Sequence, residues 1–185
     1  MSKSVLSMSM SLDGYIATPD DYLGGADDER LHHWFAETGE SGPAKELVDA
    51  QRACGAVLTG RRTAELMDHW GGDHEGAPIF VVSHRPPGPA ARYFYPKVHY
   101  VTDIVSAMEQ AKEAAGERTV ELRGASVGQS ALAAGVLDEI VVHQIPVLLG
   151  RGRRLFDELP AEIELEVVQV IDTPQATHIR YRVLR

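Results

Sequence analysis

Cysteine is almost missing from this 185-residue chain: Cys54 stands alone. No internal disulfide can form, and no pair of thiolates is available for a metal. Flanked by Ala53 and by Gly55-Ala56-Val57, Cys54 reads as a small core residue. Base is also scarce. Against 27 acids stand 18 Lys and Arg, a formal charge of −9. The chain therefore lacks the broad positive field that nucleic acid or an anionic membrane surface calls for. An anionic ligand would have to be met by local Arg or Lys. No apolar run is long enough to span a bilayer as a helix. Lys3 is not followed by an unbroken apolar stretch, so no signal peptide is expected, and the expected location is the cytoplasm. Repeats, low-complexity runs and linkers are absent too.

What remains is an ordinary globular composition, 44% apolar and 24% charged. The length suits one domain, residues 1–185, with a sizeable core. The stretch that best organises the chain is Gly124-Ala125-Ser126-Val127-Gly128. The spacing predicts a strand over Thr119–Arg123 before it and a helix over Gln129–Ala134 after it, closed by Gly135. Small residues at a strand-to-helix turn let backbone approach a ligand, and the helix start offers N–H groups to an anion. Alone, the pattern reads rather as a tight turn with no ligand.

Other turns repeat the theme. Ser4–Met10 alternates as a half-buried strand and runs into Ser11-Leu12-Asp13-Gly14-Tyr15-Ile16-Ala17. Asp13 is either an active-site acid or the hub of an Asx-type turn. A helix from Asp27 or Asp28 to about Thr38, stopped by Gly39, presents Leu31, Trp34 and Phe35 on one side. His32 and His33 are adjacent, so they point apart and lack metal-pair spacing; no metal is expected. A helix over Pro43–Arg52 buries Leu47 and Val48, and Ala53–Thr59 forms a buried strand. Gly60 then opens a helix on Arg61-Arg62-Thr63, with Leu66, Met67 and Trp70 as its apolar positions. Arginine at that end opposes the helix dipole, which favours an anionic ligand over solvated side chains.

Ala77–Val82 is another strand, ending in Ser83-His84-Arg85-Pro86-Pro87, a phosphate-friendly end or a plain polar turn. A short strand closes at Val101, and Asp103 caps a helix to Ala115 with Gly116 after it. Asp138–Gly150 reads as one long strand, followed by the basic cluster Arg151-Gly152-Arg153-Arg154, read as a surface loop. Glu162–Asp172 and Thr177–Leu184 form an antiparallel hairpin. The alternation of strands and helices predicts an α/β fold with a mixed, mainly parallel sheet, helices on both faces and a C-terminal hairpin. Ligands of such sheets bind beyond the carboxyl ends of the strands.

Four pieces in this order resemble the dihydrofolate-reductase-like superfamily, and within it stand-alone relatives of the riboflavin-biosynthesis reductase domain. They are Ser11–Ala17, Leu58–Thr63, Val81–Arg85, and Gly135–Ile140 running on to Pro146–Gly152. The resemblance implies a homodimeric, NADPH-dependent reductase acting on a small cyclic or carbonyl-type substrate, riboflavin-precursor-like or pterin-like. The alternative is an NADP(H)-binding module of that fold without catalysis. It implies cofactor contacts from Ala17, Thr59, Gly60, Arg61, Arg62 and Thr63, from Ser83, His84 and Arg85 around the 2′-phosphate, and from Gly124, Ala125, Ser126, Val127 and Gly128. Asp13, Tyr15, Leu31, Trp34 and Phe35 would face the substrate, with Asp13 handling the proton. Two positions depart from the family pattern. Leu31 stands where true dihydrofolate reductases carry an acid, so a pterin would lose its orienting carboxylate. Ala125 replaces the second glycine of the phosphate turn. No zinc-deaminase signature accompanies the domain.

Overall fold

The computed structural model describes residues 2–19, 30–35, 41–88, 95–157 and 159–184. The fold is organised by β1 (Ser4–Ser11), whose alternation sets up two unlike faces. Leu6, Met8 and Met10 point to one side; Val5, Ser7, Ser9 and Ser11 point to the other. β1 pairs in parallel with β6 (Val120–Arg123) on one flank and with β7 (Glu139–Ile145) on the other. Beyond β6 lie β3 (Ala56–Gly60), β4 (Ile79–Val82) and β5 (Val98–Val101), all parallel. Beyond β7 the hairpin of β9 (Leu165–Asp172) and β10 (Thr177–Val183) joins antiparallel. The eight-stranded order is β5-β4-β3-β6-β1-β7-β10-β9. A small second sheet pairs β2 (Tyr15–Ala17) with β8 (Arg153–Arg154).

The helices take both faces, as the alternation of elements predicts. On the apolar face, α3 (Ile104–Ala115) and α4 (Ala125–Ala133) bury Ala107, Met108, Ala111, Ala131 and Leu132 against Leu6, Leu58, Leu122 and Ile140. Asp103 caps α3 by accepting a hydrogen bond from the Ser106 amide at 2.8 Å. On the other face, α1 (Lys45–Arg52) seats Leu47 on Val5 and Val141, and α2 (Arg61–Leu66) seats Ala64 among Val57, Ile79 and Val81. Residues 30–35 are helical and put Leu31 and Trp34 with Val48 and Ile145. The expected caps of that helix, Asp27 or Asp28 and Gly39, lie outside the described residues. Among the described residues no helix is long and apolar enough to cross a membrane.

Three expectations need correction. The strand read as Asp138–Gly150 ends at Ile145. Pro146 has no N–H to give a ladder, and the chain leaves the sheet to reach the turn after β1. The helix read as Gln129–Ala134 begins at Ala125, so the glycine-rich stretch is its first turn rather than a loop before it. The helix opened by Arg61 stops at Leu66. Asp68, His69, Trp70, Gly71 and Gly72 follow with φ of 44, 51, 51, 67 and 85°, a left-handed turn. Each non-glycine residue there costs roughly 1–2 kcal/mol. The turn buries His69, whose Nε2 lies 2.8 Å from the Tyr100 hydroxyl, and sets Trp70 against the cluster of Val57, Ala64, Ile79 and Val81.

Candidate functional site

At the carboxyl ends of β3 and β6, and over the middle of β1, lies a cavity of about 360 Å³, a size that takes a cofactor or a small ligand. Its floor is the serine face of β1. Ser9 accepts from the Trp34 indole N–H at 2.9 Å. Ser7 accepts from the Gln51 amide at 2.5 Å and lies 3.0 Å from His143 Nε2. Register explains the meeting: Ser9 stands opposite His143 across the β1–β7 ladder. Behind the wall, His143 Nδ1 and His178 Nδ1 are 2.8 Å apart, so one must donate and the other accept. The Trp34 ring lies over His143 with centroids 4.1 Å apart. Burial, then the neighbouring His178, hold the His143 pKa well below the ordinary 6.5, and burial brings His178 down to about 4. Both rings are neutral at physiological pH, so this floor offers hydrogen bonds without charge.

The rim is different in kind. α2 follows β3 and α4 follows β6, so two helix starts open side by side on one edge. Neither start has a side-chain cap or an acid in its first turn. Their amide N–H groups therefore lack the partners most helices supply. At the junction Gly124 adopts φ 108°, and a Cβ there would stand 2.7 Å from Thr63 Oγ1. The backbone passes bare at this point. Arg62, Arg123 and Arg153 line the cavity, and among the described residues no carboxylate does. The Arg123 guanidinium lies 5.6 Å from the Trp70 ring centroid, a cation–π contact that aims it. Uncapped helix starts, a bare glycine and a cationic lining among the described residues suit phosphate groups.

The residues singled out from the sequence divide accordingly. Ala17, Arg62, Thr63, Gly124, Ala125, Ser126, Trp34 and Phe35 line the cavity. Gly60 adjoins it, its Cα bare beneath Ser126, where a Cβ would stand 3.2 Å from the hydroxyl. Thr59 is buried and donates to the Arg123 carbonyl at 2.9 Å, holding β3 to β6. Arg61 donates to Glu65 at 2.6 Å and to the Pro86 carbonyl at 2.8 Å, which makes it a strut beside the cavity. Val127 and Gly128 turn inward. A Cβ on Gly128 would stand 2.6 Å from Leu6 Cδ2, so this glycine seats α4 on β1 and does not approach a ligand. Leu31 is fully buried in the core with Val48. Ser83 bonds the Arg85 backbone at both groups, donating to its carbonyl at 2.9 Å and accepting from its amide at 3.1 Å. The segment Ser83–Arg85 stands at the end of β4, next to β3, and lies outside the cavity wall.

Asp13 lies outside the wall as well. Its carboxylate accepts from the Ser11 hydroxyl at 2.6 Å and from the amides of Leu149 and Gly150 at 3.1 and 2.7 Å. The Ser11 bond first, then the two amides, bring its pKa down to about 2. Of the two roles open to Asp13, the geometry favours the turn hub that ties the end of β1 to the loop after β7. Tyr15 faces a second, polar groove of about 780 Å³ that runs on from α4 between Arg151, Arg153 and Arg154. The Arg154 guanidinium sits 4.7 Å from the Tyr15 ring centroid. The basic cluster read as a surface loop thus forms one bank of a groove that shares Ala125, Ser126 and Arg153 with the cavity. Gln51, Arg123, His143 and the two serines went unmarked in the sequence.

Comparison with known proteins adds the following. The family described as the RibD C-terminal domain matches residues 3–179. An uncharacterised protein of Bacillus subtilis strain 168, YwjB, is 26% identical over 184 residues, 97% of either chain. A putative riboflavin biosynthesis protein from Shewanella sp. PV-4 superposes with a TM-score of 0.78 at 24% identity, over 99% of each chain. A diaminohydroxyphosphoribosylaminopyrimidine deaminase/5-amino-6-(5-phosphoribosylamino)uracil reductase from Thermotoga maritima superposes with a TM-score of 0.61 at 15% identity, over 99% of this chain and 57% of that one.

Proposed function

Because the chain belongs to the RibD C-terminal domain family, we propose that it is an NADPH-dependent reductase of a small riboflavin-precursor-like substrate, an aminopyrimidine or a related cyclic compound. The observation that carries the reading is the junction of α2 and α4. Two uncapped helix starts meet at a bare glycine, over a cavity whose charged lining is cationic among the described residues. In this reading Arg62, Thr63 and the backbone of Gly124–Ser126 hold the pyrophosphate. Ser83, His84 and Arg85, one strand further out, reach the 2′-phosphate that separates NADPH from NADH. Bound there, the cofactor supplies a hydride for a carbon–nitrogen or carbon–oxygen double bond.

The chain's own residues do the rest. Trp34 and Phe35 wall the cavity, exclude water and give a flat ring something to stack on. Ser9, Gln51 and Ser7 present hydroxyl and amide groups that orient a polar ring without adding charge. Leu31 closes the core where a pterin-reducing enzyme would carry an acid, so an aminopyrimidine fits this reading better than a pterin. The experiment follows NADPH absorbance in the presence of 5-amino-6-(5-phosphoribosylamino)uracil. Substrate-dependent oxidation is the expected result. NADPH binding with no turnover of any aminopyrimidine would leave a nucleotide-binding module of the same fold.

A further inference from the structure

Glu121 has no part in the site so far, and it is buried, with 3% of its surface exposed. Its Oε1 has no hydrogen-bond partner, which buried carboxyl groups rarely tolerate. On β6 it stands opposite Val5 of β1 and Val57 of β3, and so on the serine face of the sheet, two residues before Arg123. A small cavity of about 30 Å³ sits against it, lined by Ser7, Gln51, Thr119 and Arg180 among others. Ser7 and Gln51 line the large cavity as well. Ser7 lines the small cavity beside the Glu121 carboxyl, and its hydroxyl meets Gln51 and His143. Among the described residues Ser7 is thus the hydroxyl that borders both the small cavity beside the buried acid and the ligand cavity.

We propose that Glu121 stores a proton behind the cavity and that Ser7 passes it to the substrate. The inference rests on the reductase reading of the cavity. Reducing a carbon–nitrogen or carbon–oxygen double bond adds a hydride, with its electron pair, to carbon and one proton to the heteroatom. With a dihydronicotinamide as hydride source, the proton leaves Ser7 Oγ for the nitrogen or oxygen while Ser7 takes the proton of Glu121. Glu121 is left as a carboxylate facing Arg123 on its own strand and Arg180 on β10, and solvent reloads it.

The neighbours of Ser7 leave this acid as the source. Gln51 does not titrate. His143, and His178 behind it, are neutral through burial and hold no spare proton. Burial pushes Glu121 up to about 7, against the opposing pull of Arg123, Ser7 and Arg180. Cys54 also faces it, and burial keeps that thiol protonated, its pKa up at about 11. Glu139 on β7 is occupied by Lys3 at 2.6 Å, and α1 brings only Leu47, Ala50 and Gln51 to the small cavity.

The test compares wild type, Glu121→Gln and Ser7→Ala by infrared difference spectroscopy across neutral pH, and follows NADPH oxidation with 5-amino-6-(5-phosphoribosylamino)uracil. A carboxylic-acid band that titrates near neutrality, vanishes in Glu121→Gln and shifts in Ser7→Ala is expected. Turnover in Glu121→Gln should fall about 10²-fold or more and lose its pH dependence across neutrality, with NADPH affinity unchanged. A band lost already at acid pH, or one indifferent to Ser7→Ala, overturns the proposal. So does a Glu121→Gln enzyme with wild-type turnover and pH profile, which leaves the reductase reading standing. A wild type inert toward the probe, with a titrating, Ser7-sensitive band that moves when NADPH fills the cavity, supports the proton store and overturns the reductase reading instead.

Discussion

Replacing Gly124 by alanine should damage both the fold and the proposed phosphate cradle, and the size of the damage follows from two separate terms. Gly124 has φ 108° and ψ 147°. That conformation is close to glycine-only, and a side chain there costs about 1–3 kcal/mol. The new Cβ would also stand 2.7 Å from Thr63 Oγ1. Forcing the two turns apart adds about 1–3 kcal/mol, as overpacking does elsewhere. The sum is about 2–6 kcal/mol. At about 2–4 °C per kcal/mol for a chain of this size, Tm falls by roughly 4–24 °C. Circular dichroism melts of Gly124→Ala measure this, and calorimetric titration with NADPH should show weakened binding. Thr63→Ala separates the terms. It removes Oγ1 and keeps the Thr63 Cβ at 3.6 Å, an ordinary contact. In that background the steric share disappears and the backbone share persists, so the cycle should return a coupling of about 1–3 kcal/mol. A loss below about 1 kcal/mol for Gly124→Ala refutes the backbone argument. Equal losses in the two backgrounds refute the clash.

Asp13→Asn tests the turn hub. The folded pKa is depressed, about 2 against an ordinary 3.8, so the stabilisation is present above the unfolded value and is lost as pH falls through about 2. The variant should melt below wild type at neutral pH, and acid titration of Tm should bring the two curves together; parallel curves would contradict this. On the proposed reading, Arg85→Ala would remove a charged contact to the 2′-phosphate worth about 1.5–3 kcal/mol. NADPH affinity should then drop about tenfold or more with NADH nearly unchanged; equal losses would show that Arg85 does not read that phosphate. β9 is an edge strand with Leu165, Val167, Val168 and Val170 exposed, and such edges invite pairing. Sedimentation should show a homodimer, and a lone 20.2 kDa species at micromolar concentration contradicts it.

Periodicity carries the sheet and its helices well, because β3 and β4 are short apolar runs and β1 and β6 alternate apolar with polar residues. It overshoots at Leu149, where β-branched and aliphatic residues continue past Pro146 although the ladder cannot. The site is legible where function is local: the starts of α2 and α4 are strand-to-helix turns visible as Gly60-Arg61-Arg62-Thr63 and Gly124-Ala125-Ser126. It is misleading where a small residue serves packing, as Gly128 does under Leu6. The floor is hidden for another reason. Ser7, Ser9, Gln51, Glu121 and His143 come from β1, α1, β6 and β7, and only the strand register brings them together. No single stretch announces them. A run of serines at alternate positions of a central strand, Ser7, Ser9 and Ser11, is the signal that could have revealed the polar face.

The central claim is that NADPH occupies the cavity at the α2–α4 junction. The chain has only two tryptophans, and both Trp34 and Trp70 line that cavity. Titrating NADPH while exciting tryptophan tests the claim directly. The account predicts saturable quenching of tryptophan emission, energy transfer to the dihydronicotinamide, and loss of both in Gly124→Ala. Unquenched emission up to millimolar NADPH would contradict it.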